Sequence, residues 1–81
     1  MKVIKRDGRA VDYDRSKIQI AIEKANKEVK ASERASKENI KEIINYIEEL
    51  NKKRMLVEDI QDIIEEKLME LEKYELAKKY I

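Results

Sequence analysis

The chain has 81 residues and contains no cysteine, histidine, proline, tryptophan or phenylalanine. These absences exclude disulfides, thiolate or imidazole metal sites, and every Ser-His or Cys-His nucleophile system. Charged residues make up 46% of the sequence, yet 19 Lys and Arg nearly cancel 18 Asp and Glu, and a net charge of +1 argues against a general polyanion binder.

A chain of this length forms one small domain. It buries only about 60–65% of its extended-chain surface, so its core is modest. No apolar run approaches the roughly 20 residues of a membrane span, and no signal-peptide core follows Met1. The lack of cysteine fits a reducing compartment. A soluble, cytoplasmic protein without a membrane partner is the expectation.

The only glycine lies in Val3-Ile4-Lys5-Arg6-Asp7-Gly8-Arg9. An Asp-Gly pair between two β-prone runs predicts a hairpin with a two-residue loop, because glycine supplies positive φ without strain. Strands are expected over 2–6 and 9–13. In that register Ile4 faces Val11 and Lys2 faces Tyr13, while Val3, Lys5, Ala10 and Asp12 share the other side. An isolated hairpin is marginal in water, so this one must pack on helices.

Asp14 is a good N-cap for a first helix over 15–30, whose buried stripe is Ile18, Ala21, Ile22, Ala25 and Val29. Residues 31–36 carry two serines and no strong apolar residue, which reads as a connection. Ser36 caps a second helix over 37–52 with the stripe Ile40, Ile43, Ile44, Ile47 and Leu50. Asn51-Lys52-Lys53-Arg54 is a polar, basic break. A third helix over 57–71 aligns Ile60, Ile63, Ile64, Leu68 and Leu71, with Glu58 and Asp59 at the positive end of its dipole. Glu72-Lys73 interrupts before a last helix over 73–81 carrying Tyr74, Ala77 and Ile81. No stripe sustains a heptad pattern over several repeats, which argues against a coiled coil. The expected fold is α+β and mostly α, a short N-terminal β-hairpin packed on a bundle of four helices.

The chemistry concentrates at the hairpin. Lys2, Lys5, Arg6 and Arg9 cluster there, followed by Arg15 and Lys17 in the first helix. On charge alone, solubility and the blunting of open strand edges explain such a cluster. A phosphate site explains it as well, with Arg6 able to grip phosphate oxygens in a bidentate way. Helix N-termini after Asp14 and around Val57 add free N–H groups. Glu58-Asp59 makes the second terminus less inviting, unless Mg²⁺ accompanies the phosphates or a carboxylate contacts base or sugar. Gln61 reads equally well as a solvated residue, and Tyr74 and Tyr80 as core or rim packing. A single glycine forms neither a P-loop nor a dinucleotide fingerprint. The many carboxylates sit beside lysines on polar helix faces, so no catalytic constellation or metal site emerges.

Four motifs in order then carry a resemblance. Val3-x-Lys5-Arg6-Asp7-Gly8-Arg9, Tyr13-Asp14 with Lys17-Ile18, Val57-Glu58-Asp59-Ile60-Gln61-Asp62, and Tyr74-Glu75-Leu76-Ala77-Lys78-Lys79-Tyr80-Ile81 together resemble the ATP-cone domain over nearly the whole chain. The resemblance implies a β-hairpin over four helices. It also implies a regulatory domain at the N-terminus of a ribonucleotide reductase large chain, most similar to the anaerobic, triphosphate-type enzymes. There ATP permits turnover and dATP shuts it down. A zinc-ribbon repressor of reductase genes carries the same domain, but no cysteine ribbon precedes the first motif here.

Carried over by residue, the resemblance puts Val3 and Lys5 on the nucleotide from the hairpin and makes Arg6 a phosphate ligand. Lys17 and Ile18 match first-helix positions beside the nucleotide. Val57, Glu58 and Gln61 match third-helix positions reaching the same pocket, and Val11 and Asp14 fall where some members contact adenine. Some reductases carry Thr and His at positions 57 and 61, so phosphate contacts there differ. The effectors implied are ATP or dATP, with Mg²⁺ on the phosphates. The partners implied are the catalytic domain and other subunits of a reductase. Members usually continue past position 81 with a tyrosine and basic residues, so the expectation is a domain excised from a longer chain. Reduction in this family needs redox-active cysteines; the chain alone is expected to bind and not to catalyse. A nucleic-acid module or a pure scaffold bundle would be the alternatives. The first lacks stacking aromatics and net charge, and the second needs no ligand.

Overall fold

Each helix carries a single apolar stripe, and the stripes become buried only by facing one another beneath a small sheet. The structure, a computed structural model, describes residues 1–80; the expected place of Ile81 in the last helix lies outside them. Among the described residues the chain forms β1 (Lys2–Ile4), β2 (Ala10–Asp12), α1 (Arg15–Asn26), α2 (Lys37–Glu49), β3 (Arg54–Leu56), α3 (Val57–Glu70) and α4 (Tyr74–Tyr80), with a single 3-10 turn at Ala31–Glu33. The class is α+β and mostly α, as the periodicity predicts.

The sheet has three strands in the order β2-β1-β3, so a third strand joins the expected hairpin. β3 runs parallel to β1, pairing Val3 with Met55 and Ile4 with Leu56. The sequence reading treats Arg54 as part of a basic break. Three residues are too few to show the alternation that marks a strand, and only Met55 of the three is buried. β1 therefore lies in the centre, and the row Val11–Val3–Met55 points down onto the helices.

The hairpin register differs from expectation by one residue. Lys2 pairs with Asp12, Val3 with Val11 and Ile4 with Ala10. The Gly8 N–H donates to the Lys5 carbonyl at 2.9 Å and the Lys5 N–H donates to the Arg9 carbonyl at 2.8 Å, which leaves Arg6, Asp7 and Gly8 in the loop. Gly8 takes φ of 89°, the left-handed conformation that ends this kind of three-residue hairpin. Asp7 also secures the loop, accepting from the Arg9 backbone N–H and from Arg9 Nε. Because side chains alternate at period two, the extra loop residue flips β2. Val11 and Tyr13 share the face of Val3 and Lys5, and Ala10 and Asp12 do not.

The helices end for identifiable reasons. Asp14 caps α1, accepting from the Ser16 N–H at 3.0 Å. α1 stops at Asn26 and not near residue 30, because the Asn26 side chain leaves the helix to clamp Ala35 through both its N–H and its carbonyl, each at 3.0 Å. Val29 is still buried, but from a turn. Ser36 caps α2 in a reciprocal box with Asn39. α3 ends in a Schellman-type turn: Lys73 N–H bonds the Leu68 carbonyl, Glu72 N–H bonds that of Met69, and Glu72 takes φ of 61°.

The deepest side chains are Ile22, Ile47, Ile64, Leu68 and Leu76. Leu76 escapes the stripe expected for α4, while Tyr74 is 52% exposed and is not a core residue. Leu76→Ala is expected to destabilise the fold by about 2–5 kcal/mol, read as a lowered denaturation midpoint at unchanged slope. Gly8→Ala places no atom against a neighbour. Its expected loss of about 1 kcal/mol is therefore conformational, and Asn at the same position should lose less.

Candidate functional site

β1, β2 and the starts of α1 and α3 converge with the end of α4 around one cleft of about 160 Å³. That is far above the roughly 10–15 Å³ that a single water needs. Its lining is mostly apolar. Val3, Val11, Ile18, Val57 and Ile60 form the walls, Tyr13 and Tyr80 add rings, and Lys5, Lys17, Asp12, Asp14 and Gln61 supply the polar atoms. All of the sequence-selected residues line this cleft except Arg6 and Glu58.

Those two stand just outside, at a polar recess they share with Gln61, Asp62 and Glu65. Arg6 Nη2 donates to Gln61 Oε1 at 3.1 Å, and Arg6 Nε lies 3.8 Å from Glu58 Oε1. A third recess, over the hairpin tip, is bounded by Lys5, Arg6, Asp7, Arg9, Val57 and Gln61. Gln61 borders all three spaces. The apolar cleft thus opens directly onto a cationic ledge.

The charges are placed unequally. Asp14 is engaged as a cap, and hydrogen bonds from the Ser16 hydroxyl and N–H hold its carboxyl below the usual range. Asp12 is paired with Lys2, whose hydrogen bond and charge lower it likewise. Among the described residues Lys5 and Lys17 have no salt-bridge partner, although both border the cleft. The first turn of α3 has no side-chain cap at Leu56, and the Val57 N–H belongs to the parallel ladder with β1. At α1 the first-turn N–H groups are partly satisfied by Asp14.

A match over residues 1–81, the whole chain, to the family model for the ATP cone domain joins this geometry to a known family. The chain is an ATP-cone domain. ATP-cone domains are nucleotide-binding regulatory modules whose effectors are ATP and dATP. No helix among the described residues of this ATP-cone is long and apolar enough to cross a membrane.

Sequence reasoning missed Asp12, Tyr13, Ile60 and Tyr80 as cleft residues. Ile60 was visible only as part of a core stripe, and it serves both. Tyr80 follows Ala77 by three residues, one helical turn, but nothing in the pattern shows that α4 ends at the cleft. Tyr13 would have joined the list had the loop been given three residues. Its hydroxyl donates to Glu48 Oε2 at 2.8 Å, and Arg15 Nε meets the same oxygen at 3.2 Å. Arg15 also donates to Asn45 at 3.1 Å. The cleft wall of the ATP-cone is thereby tied to α2.

Burial, then the hydrogen bond to the Glu48 carboxylate, push the Tyr13 phenol well above its ordinary value of 10.0. Burial also raises Tyr80. Both shifts disfavour ionisation in the folded state, so the unfolded chain ionises first. Their contribution to stability is full below about pH 10 and is lost as pH rises above it. Melting temperatures across the alkaline range should therefore fall, and Tyr13→Phe should flatten that fall while weakening the fold at neutral pH.

Proposed function

We propose that the cleft takes the base and sugar of ATP or dATP, with the phosphates on the ledge formed by Lys5, Arg6 and Lys17. One observation carries the reading: a mostly apolar cleft of about 160 Å³ is bordered by Lys5 and Lys17, which have no salt-bridge partner among the described residues, with the exposed Arg6 beside it. Apolar walls with a few convergent polar groups are the usual form of a small-molecule site. The start of α3 lies where the positive end of its helix dipole supports bound phosphate. Val3, Val11, Ile18 and Val57 contact the base in this reading, Gln61 bridges toward the phosphates, and Asp14 borders the base. Mg²⁺ arrives on the phosphates and is held by their oxygens.

The regulated enzyme in this proposal is a ribonucleotide reductase, as the wording of the C-terminal motif that begins at Tyr74 supports. The domain binds and signals, and catalysis belongs to the reductase. ATP and dATP differ by one hydroxyl, so opposite effects require differential contacts in two arrangements of the domain and its partners. Removing a charge-assisted phosphate contact costs about 1.5–3 kcal/mol. Calorimetric titration should show that loss of ATP affinity in Lys5→Ala and in Arg6→Ala, and no saturable binding of a DNA oligonucleotide to the wild type. Unchanged ATP affinity in both variants would rule the site out.

A further inference from the structure

Arg6 already has an anionic neighbour within the fold. Its guanidinium reaches across to α3, bonding Gln61 and lying 3.8 Å from Glu58. The Glu58 and Arg6 side chains are 62% and 71% exposed, so the pair is weak and readily exchanged. Glu58, Asp62 and Glu65 follow one another at helical spacing along the recess beside Arg6, giving that side of the ledge a negative wall. On the opposite side lie Lys5 and Arg9, with Asp7 already engaged by Arg9. Arg6 borders both recesses and stands between an acidic and a basic surface.

We infer that Glu58 is a built-in counter-ion that competes with ligand phosphates for Arg6, and so sets how much each added phosphate strengthens binding. The inference rests on the nucleotide-site reading above and deepens it. A phosphate entering the ledge takes over the Arg6 guanidinium, whose planar fork suits phosphate oxygens better than a single carboxylate contact at 3.8 Å. Glu58 is then left facing the added negative charge and turns to solvent. Exchange of this kind lowers affinity most for ligands with the most phosphates, and it leaves contacts in the apolar cleft untouched. Gln61 keeps Arg6 in place in either state, since its amide oxygen needs no charge to accept.

The test is an affinity series for adenosine, AMP, ADP and ATP on the wild type and Glu58→Gln, at low and at high salt. The variant should bind adenosine as the wild type does and gain with each phosphate, reaching about two- to fivefold for ATP at low salt. The gain should shrink as salt screens the ledge. Glu58→Ala should behave alike, and Glu38→Gln, at the far end of α2, should show no gain. A gain for adenosine as large as for ATP would overturn the inference, as would an equal gain in Glu38→Gln. Wild type that binds ATP while Glu58→Gln matches it throughout would overturn the Glu58 role alone. Wild type that ignores both ATP and adenosine would overturn the nucleotide-site reading, and the role of Glu58 with it.

Discussion

The loop Arg6-Asp7-Gly8 decides what the rest of the molecule can do. With three residues in the loop, Val11 and Tyr13 turn toward the helices beside Val3 and Lys5. With two, Ala10 and Asp12 would take those places, and the cleft would lose an apolar wall and an aromatic ring. The left-handed φ of Gly8 makes the longer loop possible without steric strain. Loop length thus selects which half of β2 meets the bundle.

β3 holds that arrangement from the other side. Pairing it in parallel with β1 makes β1 the central strand and buries Met55 next to Val3. It also delivers the chain straight into α3, so that Val57 opens the helix at the cleft without a side-chain cap. The basic segment before it is therefore the approach to a strand rather than a simple interruption. Tyr13, Glu48 and Arg15 then brace the cleft wall against α2, tying the site to the helix that supplies much of the core.

Electrostatics in this domain is a matter of placement. Near-equal numbers of opposite charges leave almost no net field, and the exposed ion pairs contribute little to stability. Asp12 and Asp14 are occupied by Lys2 and Ser16, while Lys5 and Lys17 have no salt-bridge partner among the described residues. Lys5 and Lys17 stay available at the cleft of a nearly neutral chain because the cleft carboxylates Asp12 and Asp14 have other partners. The same principle, with Arg6 set between Glu58 and the hairpin cations, gives the ledge its internal competition.

The four helices, both caps at Asp14 and Ser36, and most of the core stripes are legible from periodicity and capping chemistry, because those signals act within a few residues. Lys5 and Lys17 stand out as members of the basic cluster, the order of the motifs is itself enough to suggest the family, and Val3 joins the site through that resemblance. Everything that depends on contacts between distant segments required the tertiary structure. The register of β2 turned on one loop residue, β3 was too short to carry a pattern, and α1 ended early because Asn26 found Ala35. Tyr80 reached the cleft only because α4 packs where it does, and Leu76 became core for the same reason. The sequence by itself determined which elements form and which groups carry charge. Only packing decided which of those groups share a cleft, since a side chain's neighbours across the fold leave no trace in its own local periodicity.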